Sequence, residues 1–359
     1  MAVPTLGLLL PVDADRFIRV ERRMPAPCGP LVSATFQEQL RQCLDDRLAF
    51  RFAMLATLSR FTHALGTSVK PSLGVLGRKG WLFLGDYYDF GFSKYRGLPS
   101  VEALPLRDTE PIAAIAARAR ERDVPFLVVV APDKPRVYAD RLPRWAEEGP
   151  APSRAQPFAA ALAARGVDVV YLRQALRAAR AAHAPAPVYY ETDSHWNMAG
   201  AFAGYAATVR ALAGRRPSLR GLAPDDIRFE RTDYRGDIAR FLPLPLPATE
   251  LRPIARDGRW RPVTVRTDTG REEVDPIAPI ETPSQPSISE TPDALNRDTL
   301  LFLRDSFGDA MAPFMHQTFA RTVHLHWATV LGAQPIDFDG LLRDTSPDAI
   351  VLMMVERAI

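Results

Sequence analysis

The sequence predicts an α/β fold with a mostly parallel sheet, because short apolar runs alternate with helical segments on both sides of a proline-rich stretch. The apolar runs, such as "PFLVVVAP" at 125–132 and "TLLFLRD" at 299–305, have the length of buried strands. The segments between such runs are about 10 to 15 residues long and carry apolar residues at helical spacing. This alternation is typical of βαβ units, whose strands lie parallel.

The first half of the chain contains most of the predicted helices. A long amphipathic helix is predicted over 34–66, where apolar residues recur at helical spacing and the run closes on Gly66. Two apolar runs around Arg78-Lys79-Gly80 predict a hairpin over 75–90. The elements expected next are, in order, helix 110–122, strand 125–132, helix 153–165, strand 167–172, helix 173–183, a short strand at 188–190 and a helix that ends near residue 213.

Prolines interrupt this alternation between residues 241 and 290, where nine of them occur in fifty positions. Proline fits neither a helix interior nor a central strand, because it lacks a backbone N–H group. We therefore expect a long, partly mobile insertion over 241–298, with an edge strand near 261–267. Beyond it the pattern predicts strands at 299–305, 322–327 and 348–355, a helix from Ser306 and a short helix near 337–343.

Composition argues against several classes of function. The 45 basic and 42 acidic residues give a net charge of +3 without a basic run, so nucleic-acid binding is not expected. His316, His324 and His326 lack supporting carboxylates, and we take the last two as one face of a strand rather than as a metal pair. We expect neither a metal nor another cofactor.

The N-terminal region leaves two questions open. "VPTLGLLLPV" at 3–12 is apolar but much shorter than the roughly 20 residues of a membrane span, and no basic leader precedes it. It is either the tail of a membrane anchor or a segment packed on the domain, so we assign 1–34 to an arm and 35–359 to one domain. Cys28 and Cys43 form a disulfide if the chain is exported, or remain separate thiols.

Ser306 is the first candidate for catalysis. The predicted strand "TLLFLRD" leads directly into "SFGDAMAPF", so this serine stands at the carboxyl end of a parallel strand, where ligand sites of open α/β sheets gather. A helix that starts there also offers backbone N–H groups and a positive dipole end to an oxyanion. Capping of that helix by Asp305 or Ser306 explains the same residues equally well.

A second cluster, "DSHWN" at 193–197, lies just before a predicted helix. Asp193 and His195 are two positions apart, so both side chains can share one face of a turn. The carboxylate can then hold the imidazole by one nitrogen and leave the other nitrogen free to accept a serine proton. The alternative is that the cluster caps and packs the following helix, with Ser194 or Asn197 as the cap.

Six stretches occur in an order that resembles one known family: "GWLFL" (80–84), "VVVAPDKPRVYADRLP" (128–143), "DSHWNMAGA" (193–201), "GDIARFL" (236–242), "RDSFG" (304–308) and "PDAIVLMMVERAI" (347–359). They resemble the SGNH-hydrolase-like domain of the bacterial alginate O-acetyltransferase family, over roughly residues 20 to 359. The resemblance implies a flavodoxin-like, three-layer SGNH domain. It also implies a circularly permuted motif order, since the serine block follows the Asp/His block here.

The resemblance implies an acetyltransferase that works through an acetyl-serine intermediate. The acceptors would be hydroxyls of an exported polysaccharide, either alginate or another exopolysaccharide. Ser306 is then the nucleophile, His195 the general base and Asp193 the acid that orients it. The acetyl donor is expected to arrive through a multi-spanning membrane acyltransferase, and the expected location is the periplasm, with anchoring to the inner membrane.

Weaker assignments surround this triad. The amides of Ser306 and Phe307 are the expected oxyanion donors. Asn197, Arg304 and Lys134 are further candidates for oxyanion or substrate contacts, although Lys134 can equally be a solvated loop lysine.

Aromatic residues near these motifs have two interpretations each. Trp196 is expected to pack on the imidazole and wall the site, or to stack on a sugar ring. Trp81, Tyr87 and Tyr88 are either core residues or a platform for a glycan.

Two other functions stay open at this point. The same residues would serve a polysaccharide acetylesterase, in which water replaces the sugar hydroxyl. A non-catalytic scaffold of a polysaccharide export complex is the third hypothesis, with Asp193 and Ser306 as helix caps. A separation of more than about 6 Å between Ser306 and His195 would favour the scaffold, because it exceeds hydrogen-bond reach.

Overall fold

The computed structural model describes residues 12–15, 17, 24–28, 36–48, 51–68, 70–146, 152–183, 186–234, 236–242, 248–255, 260–282 and 285–359. The strands, in chain order, are β1 (Gly74–Leu76), β2 (Leu82–Leu84), β3 (Phe126–Ala131), β4 (Asp168–Tyr171), β5 (Ile227–Tyr234), β6 (Ala248–Ala255), β7 (Val263–Thr267), β8 (Gly270–Val274), β9 (Ser287–Glu290), β10 (Asn296–Arg304), β11 (Phe319–His326) and β12 (Ala349–Val355). The helices are α1 (Phe36–Asp46), α2 (Arg51–Ala64), α3 (Gly91–Arg96), α4 (Pro99–Glu102), α5 (Glu110–Arg120), α6 (Lys134–Val137), α7 (Ala155–Ala163), α8 (Arg173–Ala182), α9 (Met198–Ala213), α10 (Asp237–Phe241), α11 (Ala312–Thr318), α12 (Ala328–Leu331) and α13 (Phe338–Thr345).

Eight strands form the central sheet, in the spatial order β4-β3-β12-β10-β11-β9-β7-β8. The pairings from β4 to β11 are parallel, and those from β11 to β8 are antiparallel. The mostly parallel α/β sheet predicted from the sequence is therefore confirmed. β1 and β2 form the predicted hairpin, while β5 and β6 pair in a separate two-stranded sheet.

The middle strand β12 shows why the chain needs unbroken apolar runs. All of its residues, Ala349–Val355, are buried. Ile350 and Leu352 pack in one apolar cluster with residues of α5 and α13, whereas Val351 and Met353 pack in another with residues of α8 and α9. Successive side chains of a strand point to opposite faces, so a strand covered on both faces must be apolar throughout. Helices on both faces give the three layers that the family resemblance implied.

The proline-rich segment is more regular than predicted. β7 lies between β8 and β9, and β9 lies between β7 and β11, so both are internal strands. The expectation of an edge strand near 261–267 is therefore wrong. At β7 and β9 the prolines stand just outside the strands, since Pro262 precedes Val263 and Pro286 precedes Ser287, so these two strands keep their N–H donors. Pro253 lies within β6, which pairs with β5 alone in its two-stranded sheet. Parts of the predicted mobile insertion lie outside the described residues, namely 243–247, 256–259, 283 and 284.

The long helix predicted over 34–66 is also wrong, because α1 and α2 are separate helices with a turn at Arg47 between them. The Arg47 guanidinium turns back and donates to the carbonyl oxygen of Ala26 at 3.3 Å. A disulfide between Cys28 and Cys43 joins the segment that contains Ala26 to α1. Of the two alternatives that the sequence left open for these cysteines, the structure shows the disulfide. Tertiary contacts at the end of α1 thus override the helical spacing.

The membrane question stays where the sequence left it. In the described ranges, no helix combines the length and the apolar character needed to cross a bilayer. Of the apolar segment at 3–12, only Val12 is described. The interpretations as an anchor tail or a packed segment, and the boundary between arm and domain, therefore stay predictions.

The carboxyl ends of the parallel strands meet at one edge of the sheet, and the connections that leave this edge carry the predicted site. β3 ends at Ala131 and leads to Lys134, while β10 ends at Arg304 and leads to Ser306. The loop before α9 reaches the same edge from outside the sheet, because its His195 contacts Ser306. Crevices at this edge are the usual ligand sites of open α/β sheets.

Candidate active site

The loop before α9 is closed at its base by an antiparallel bridge between Tyr189 and Trp196. This single bridge replaces the short strand predicted at 188–190. Asn197 then caps α9, because its Oδ1 accepts the N–H of Gly200 at 3.1 Å. The loop is therefore held at both ends, and it presents the acid and the imidazole that the sequence singled out.

Asp193, His195 and Ser306 form one hydrogen-bonded relay. His195 Nε2 lies 2.9 Å from Ser306 Oγ, although the two residues are 111 positions apart in the chain. On the other side of the ring, His195 Nδ1 lies 2.7 Å from Asp193 Oδ1. Ser306 is exposed, whereas the Asp193 side chain is only 4% exposed. A substrate can thus reach the hydroxyl while the carboxylate stays sealed.

Burial and charge act in opposite directions on His195. Burial alone would lower the pKa of the imidazole, but the hydrogen bond and the negative charge of Asp193 outweigh it and raise the pKa of His195 to about 9. Burial likewise opposes ionisation of Asp193, yet the hydrogen bond and charge of His195 hold the pKa of this carboxyl below its usual range. The arrangement suits an ionised carboxylate beside an imidazole that takes up a proton readily.

Asp237 belongs to the same site, although the sequence did not single it out. Its carboxylate accepts the backbone N–H of Ser194 at 2.8 Å and the Ser194 hydroxyl at 2.7 Å, and it lies 3.7 Å from His195 Nδ1. Its own N–H donates to Asp193 Oδ2 at 2.8 Å. Burial and the charge of Asp193 raise the pKa of Asp237. These bonds use the carboxylates within the relay, which fits a proton relay better than a metal centre.

Gly236 allows α10 to approach the loop this closely. A Cβ atom at this position would lie 2.2 Å from the carbonyl oxygen of Thr192, so a side chain has no room. The stretch "GDIARFL" at 236–242 was visible in the sequence, but nothing in its spacing placed it beside Asp193.

The segment after β10 is a tight turn rather than the start of a long helix. Ser306–Gly308 form a 3₁₀ turn, and α11 begins only at Ala312, so the predicted helix dipole at Ser306 is absent from this part of the structure. Asp305 Oδ1 accepts the N–H of Phe307 at 3.0 Å. That bond contradicts the predicted role of the Phe307 amide as an oxyanion donor. The Ser306 amide donates to no described atom and remains the candidate.

Arg304 points away from the relay, contrary to the prediction of a substrate contact. Its guanidinium is fully buried and donates to the Thr282 hydroxyl and to the Ile280 carbonyl oxygen, each at 2.7 Å. It also pairs with Asp309 and donates to His324 Nδ1 at 3.2 Å. Arg304 therefore ties the segment before β9 to the sheet. The position of Arg304 in the sequence, directly before Asp305, gave no indication of this structural role.

The predictions for Asn197 and Trp196 also need correction. Asn197 is fully buried as the cap of α9, so it cannot contact a substrate. Trp196 is fully buried too, and its Nε1 donates to the carbonyl oxygen of Phe307 at 3.0 Å. The ring that packs on the imidazole is that of Phe307, with 4.9 Å between its centroid and that of His195. Trp196 supports Phe307 from behind instead of stacking on a sugar.

Lys134 is neither a solvated loop lysine nor a substrate contact, so both predictions for it are wrong. The residue is 2% exposed. Its Nζ donates to the backbone carbonyl oxygens of Leu82, Glu191 and Asp193 at 2.5, 3.0 and 3.0 Å. It therefore holds the loop that carries the relay.

The structure answers part of the question about Trp81, Tyr87 and Tyr88. Trp81 is 3% exposed and belongs to the core, whereas Tyr87 and Tyr88 are 49% and 41% exposed and pack edge to face at 4.8 Å. A glycan platform thus remains a prediction for the two tyrosines alone.

His324 lies on β11 two positions before His326, as expected for one strand face. Its Nε2 lies 2.8 Å from Nε2 of His316, and burial lowers the pKa of both imidazoles. The Arg304 guanidinium beside them opposes the binding of a cation.

Comparison with known proteins identifies the family. The family model described as "SGNH hydrolase-like domain, acetyltransferase AlgX" matches residues 75–274, which are 200 of the 359 residues. The chain belongs to the AlgX family. The matched part of this AlgX-type domain contains Asp193, His195 and Asp237 but ends before Ser306, so the fold rather than the match brings the serine to the relay.

Other relatives agree with an AlgX-type domain. The chain is 28% identical over 186 residues to the probable alginate O-acetylase AlgJ of Pseudomonas aeruginosa, which covers 50% of this chain and 43% of that protein. The chain thus spans less than half the length of this curated relative. PatB1 of Bacillus cereus has a similar structure with a TM-score of 0.55 and 17% identity, over 77% of this chain and 94% of that chain. The O-acetyltransferase domain of Pseudomonas putida AlgJ matches with a TM-score of 0.50 and 20% identity, over 79% and 91%. These two structures support the fold.

Proposed function

We propose that this chain is an O-acetyltransferase that moves acetyl groups through an acetyl-serine onto hydroxyls of an exported bacterial polysaccharide, alginate or another exopolysaccharide. The observation that carries the proposal is the contact of an exposed serine hydroxyl with an imidazole at 2.9 Å, the imidazole itself being held by a buried carboxylate. Membership of the AlgX family and the AlgJ relative support the acetyl group and the polysaccharide.

The first half of the reaction forms the acetyl-serine. Ser306 Oγ attacks the carbonyl carbon of an acetyl ester while His195 Nε2 accepts the hydroxyl proton. The tetrahedral intermediate then expels the donor alcohol, which takes the proton back from the imidazolium. Asp193 stabilises the imidazolium through the bond at Nδ1, and the Ser306 amide is the donor best placed to bind the oxyanion.

The second half transfers the acetyl group to the sugar. The sugar hydroxyl gives its proton to His195 Nε2 and attacks the acetyl carbon, and the Ser306 oxygen leaves and recovers that proton. Tyr87 and Tyr88 are exposed aromatic residues that could bind a sugar ring during this step. The acetyl donor is proposed to come from a multi-spanning membrane acyltransferase.

The geometry speaks against a scaffold in which Asp193 and Ser306 only cap helices. Asp193 Oδ1 is bonded to an imidazole in addition to the bond of Oδ2 with the N–H at the start of α10, and Ser306 is the first residue of a 3₁₀ turn that Asp305, not Ser306, caps. A polysaccharide acetylesterase would use the same relay, with water in place of the sugar hydroxyl. The two reactions differ only in the acceptor of the acetyl group.

The proposed transfer predicts a new ester when the protein is incubated with an aryl acetate and an oligosaccharide of mannuronate. Mass spectrometry should show acetylated oligosaccharide in excess of that formed by the Asp193→Asn variant, because the acyl group leaves a serine close to the bound sugar. Free acetate as the sole product, at every oligosaccharide concentration, would instead establish the esterase. Unchanged aryl acetate in both samples would contradict both enzymes.

We also propose a periplasmic location with contact to the membrane surface. Four apolar side chains on and just after α2 share one helix face and are 46% to 67% exposed, namely Met54, Leu58, Phe61 and Leu65. Residues 51–68 contain Arg51, Arg60 and His63 but no acidic residue. An apolar stripe whose helix carries arginines and no acidic residue fits an anionic lipid surface.

Binding to vesicles tests this surface. The full chain should float with vesicles of phosphatidylethanolamine and phosphatidylglycerol, and the double variant Leu58→Glu, Phe61→Glu should bind at least about tenfold less, since each buried side chain contributes about 1.5–3 kcal/mol. The control Leu104→Glu places a glutamate at a leucine outside α2 that is 38% exposed. Equal binding by all three proteins would contradict the proposal.

A further inference from the structure

Lys134 makes an unusual set of contacts for a buried cation. Its three N–H groups match three acceptors, and all three are backbone carbonyl oxygens: Leu82 of β2, and Glu191 and Asp193 of the loop that carries the relay. The loop and β2 are also joined directly, because the N–H of Leu82 donates to the Glu191 carbonyl oxygen at 2.8 Å. The amine therefore joins two segments that meet behind the relay.

The surroundings make these bonds costly to break. The Lys134 amine lies 4.9 Å from the ring centroid of Trp81 and 5.2 Å from that of Phe83, both of which are core residues. A buried ammonium without acceptors is strongly destabilising. A loop conformation that moved the Asp193 carbonyl would leave one N–H of this ammonium without its partner. The lysine thus selects one loop conformation.

We propose that Lys134 is a positioning residue, which sets Asp193 and His195 against Ser306 through its protonated amine. The inference rests on the proposed acetyl transfer. The Asp193 carbonyl oxygen is fixed by Lys134 Nζ at 3.0 Å, and the side chain of the same residue holds His195 Nδ1 at 2.7 Å. Rotation of the Asp193 backbone would therefore move the imidazole relative to Ser306 Oγ.

Asp237 holds the same loop through other groups. Lys134 binds loop carbonyls, whereas Asp237 accepts the N–H and the hydroxyl of Ser194. Lys134 thus holds the relay segment by donating to its carbonyl groups. Asp237 holds it by accepting from its N–H and hydroxyl groups. The two contacts hold different groups of the loop, so neither replaces the other.

The charge of the amine matters as well as its position. Burial lowers the pKa of Lys134 to about 7, and the nearby Asp193, Asp237 and Glu191 oppose this only in part. A neutral amine has two N–H donors for three carbonyl oxygens. The amine therefore loses one bond as the pH rises above about 7, so between pH 7 and 9 the rate should rise less than deprotonation of His195 alone would make it rise.

The variants Lys134→Met and Lys134→Arg test the proposal. Methionine keeps a similar length but has no donor, so kcat for aryl acetate should fall about 10- to 100-fold while KM changes little, as expected when reacting groups are displaced by about 1 Å. Arginine stays charged, so it should recover part of kcat and restore the full rise of the rate between about pH 7 and 9. Rates are expressed per active site, counted by complete sulfonylation of Ser306, so that a loss of folded protein is not read as a loss of kcat.

The matched control is Arg216→Met. Arg216 pairs with Asp298 and Asp348, which lie at the opposite edge of the sheet, so this variant should lower stability without changing kcat per site. A Lys134→Met protein with normal kcat, or a Lys134→Arg protein with no recovery and an unchanged pH profile, would overturn the inference. Turnover that survives Ser306→Ala would instead remove the proposed function.

A measurement on the unchanged protein covers the case in which neither variant folds. Nitrogen NMR of lysine-labelled protein should show a protected Nζ signal that titrates near pH 7, where the rise of kcat/KM with pH begins to level off. A Lys134 amine that titrates at its ordinary value, or one whose titration leaves the rate unaffected, would overturn the inference.

Discussion

Replacement of Ser306 by alanine is expected to abolish the hydrolysis of an aryl acetate. Removal of a serine nucleophile from a hydrolase relay typically lowers kcat by about 10⁴- to 10⁶-fold, equivalent to about 5 to 8 kcal/mol of transition-state stabilisation. The effect should be this large because Ser306 Oγ, 2.9 Å from His195 Nε2, both bonds to the acetyl carbon and gives up the proton. Stopped-flow detection of the aryl product measures the acylation step directly.

The same variant should fold normally. Ser306 is exposed and follows the buried strand β10, so the free energy of unfolding should change by less than about 0.5 kcal/mol. The control Ser100→Ala removes a hydroxyl from an exposed position of α4 and should retain full turnover. If Ser306→Ala turns over as fast as this control, the proposed mechanism is wrong.

Replacement of Asp193 by asparagine is expected to lower kcat/KM by about 10⁴-fold, the scale known for the equivalent change in serine proteases. An amide can donate to Nδ1 and so hold the proton on Nε2, where the imidazole cannot accept another from Ser306. Asp193 Oδ1 also accepts the N–H of His195 at 2.9 Å, so the change acts on both the ring and its backbone. Steady-state kinetics with an aryl acetate measure the loss.

The direction in which the pH dependence of the rate should change in the Asp193→Asn variant can also be predicted. His195 must be neutral to act as a base, and Asp193 raises its pKa to about 9, so the rate of the free enzyme should rise with pH toward that value. The rise should be less steep above about pH 7, where Lys134 loses its proton. Without the Asp193 charge, burial dominates, and the acidic limb should move below the ordinary value of about 6.5. A limb that stays near pH 9 in the variant would contradict the assignment of His195.

The free energy of unfolding should depend on pH through the same shift in the pKa of His195. The pKa of His195 is higher in the folded than in the unfolded chain, so its contribution to stability is fully present below about pH 6.5. The contribution is lost as the pH rises through about 9. The melting temperature of the unchanged protein should therefore fall over this window more steeply than that of Asp193→Asn. Thermal unfolding at several pH values measures both curves.

The central strands were predictable because their burial on both faces produces a local pattern of apolar residues in the sequence. β3, β10 and β12 lie under helices on both faces, and this requirement produces continuous apolar runs that differ from the helical spacing around them. The errors arose where distant contacts decide. The turn at Arg47 depends on a carbonyl group 21 positions earlier, and β9 is internal only because β7 and β11 flank it.

The site was predictable only in part, for a related reason. Asp193 and His195 are close in sequence, so their contact is a local one. The side chains of Asp237 and Lys134 bind mainly backbone N–H and carbonyl groups of the loop, which nearly every residue has and which leave no compositional signal. Phe307 was noticed for its amide, whereas its ring is what contacts the imidazole.

The sequence by itself determined the α/β class, the strands of the sheet centre and the chemical types available for catalysis, since each follows from local spacing and residue type. Only the tertiary structure decided that Ser306 meets His195 across 111 positions, and that Arg304, Asn197 and Trp196 face inward instead of toward a substrate. The physical reason is that strand order and loop closure fix these distances. Both depend on hydrogen bonds and packing between segments whose separation along the chain carries no information about their separation in space.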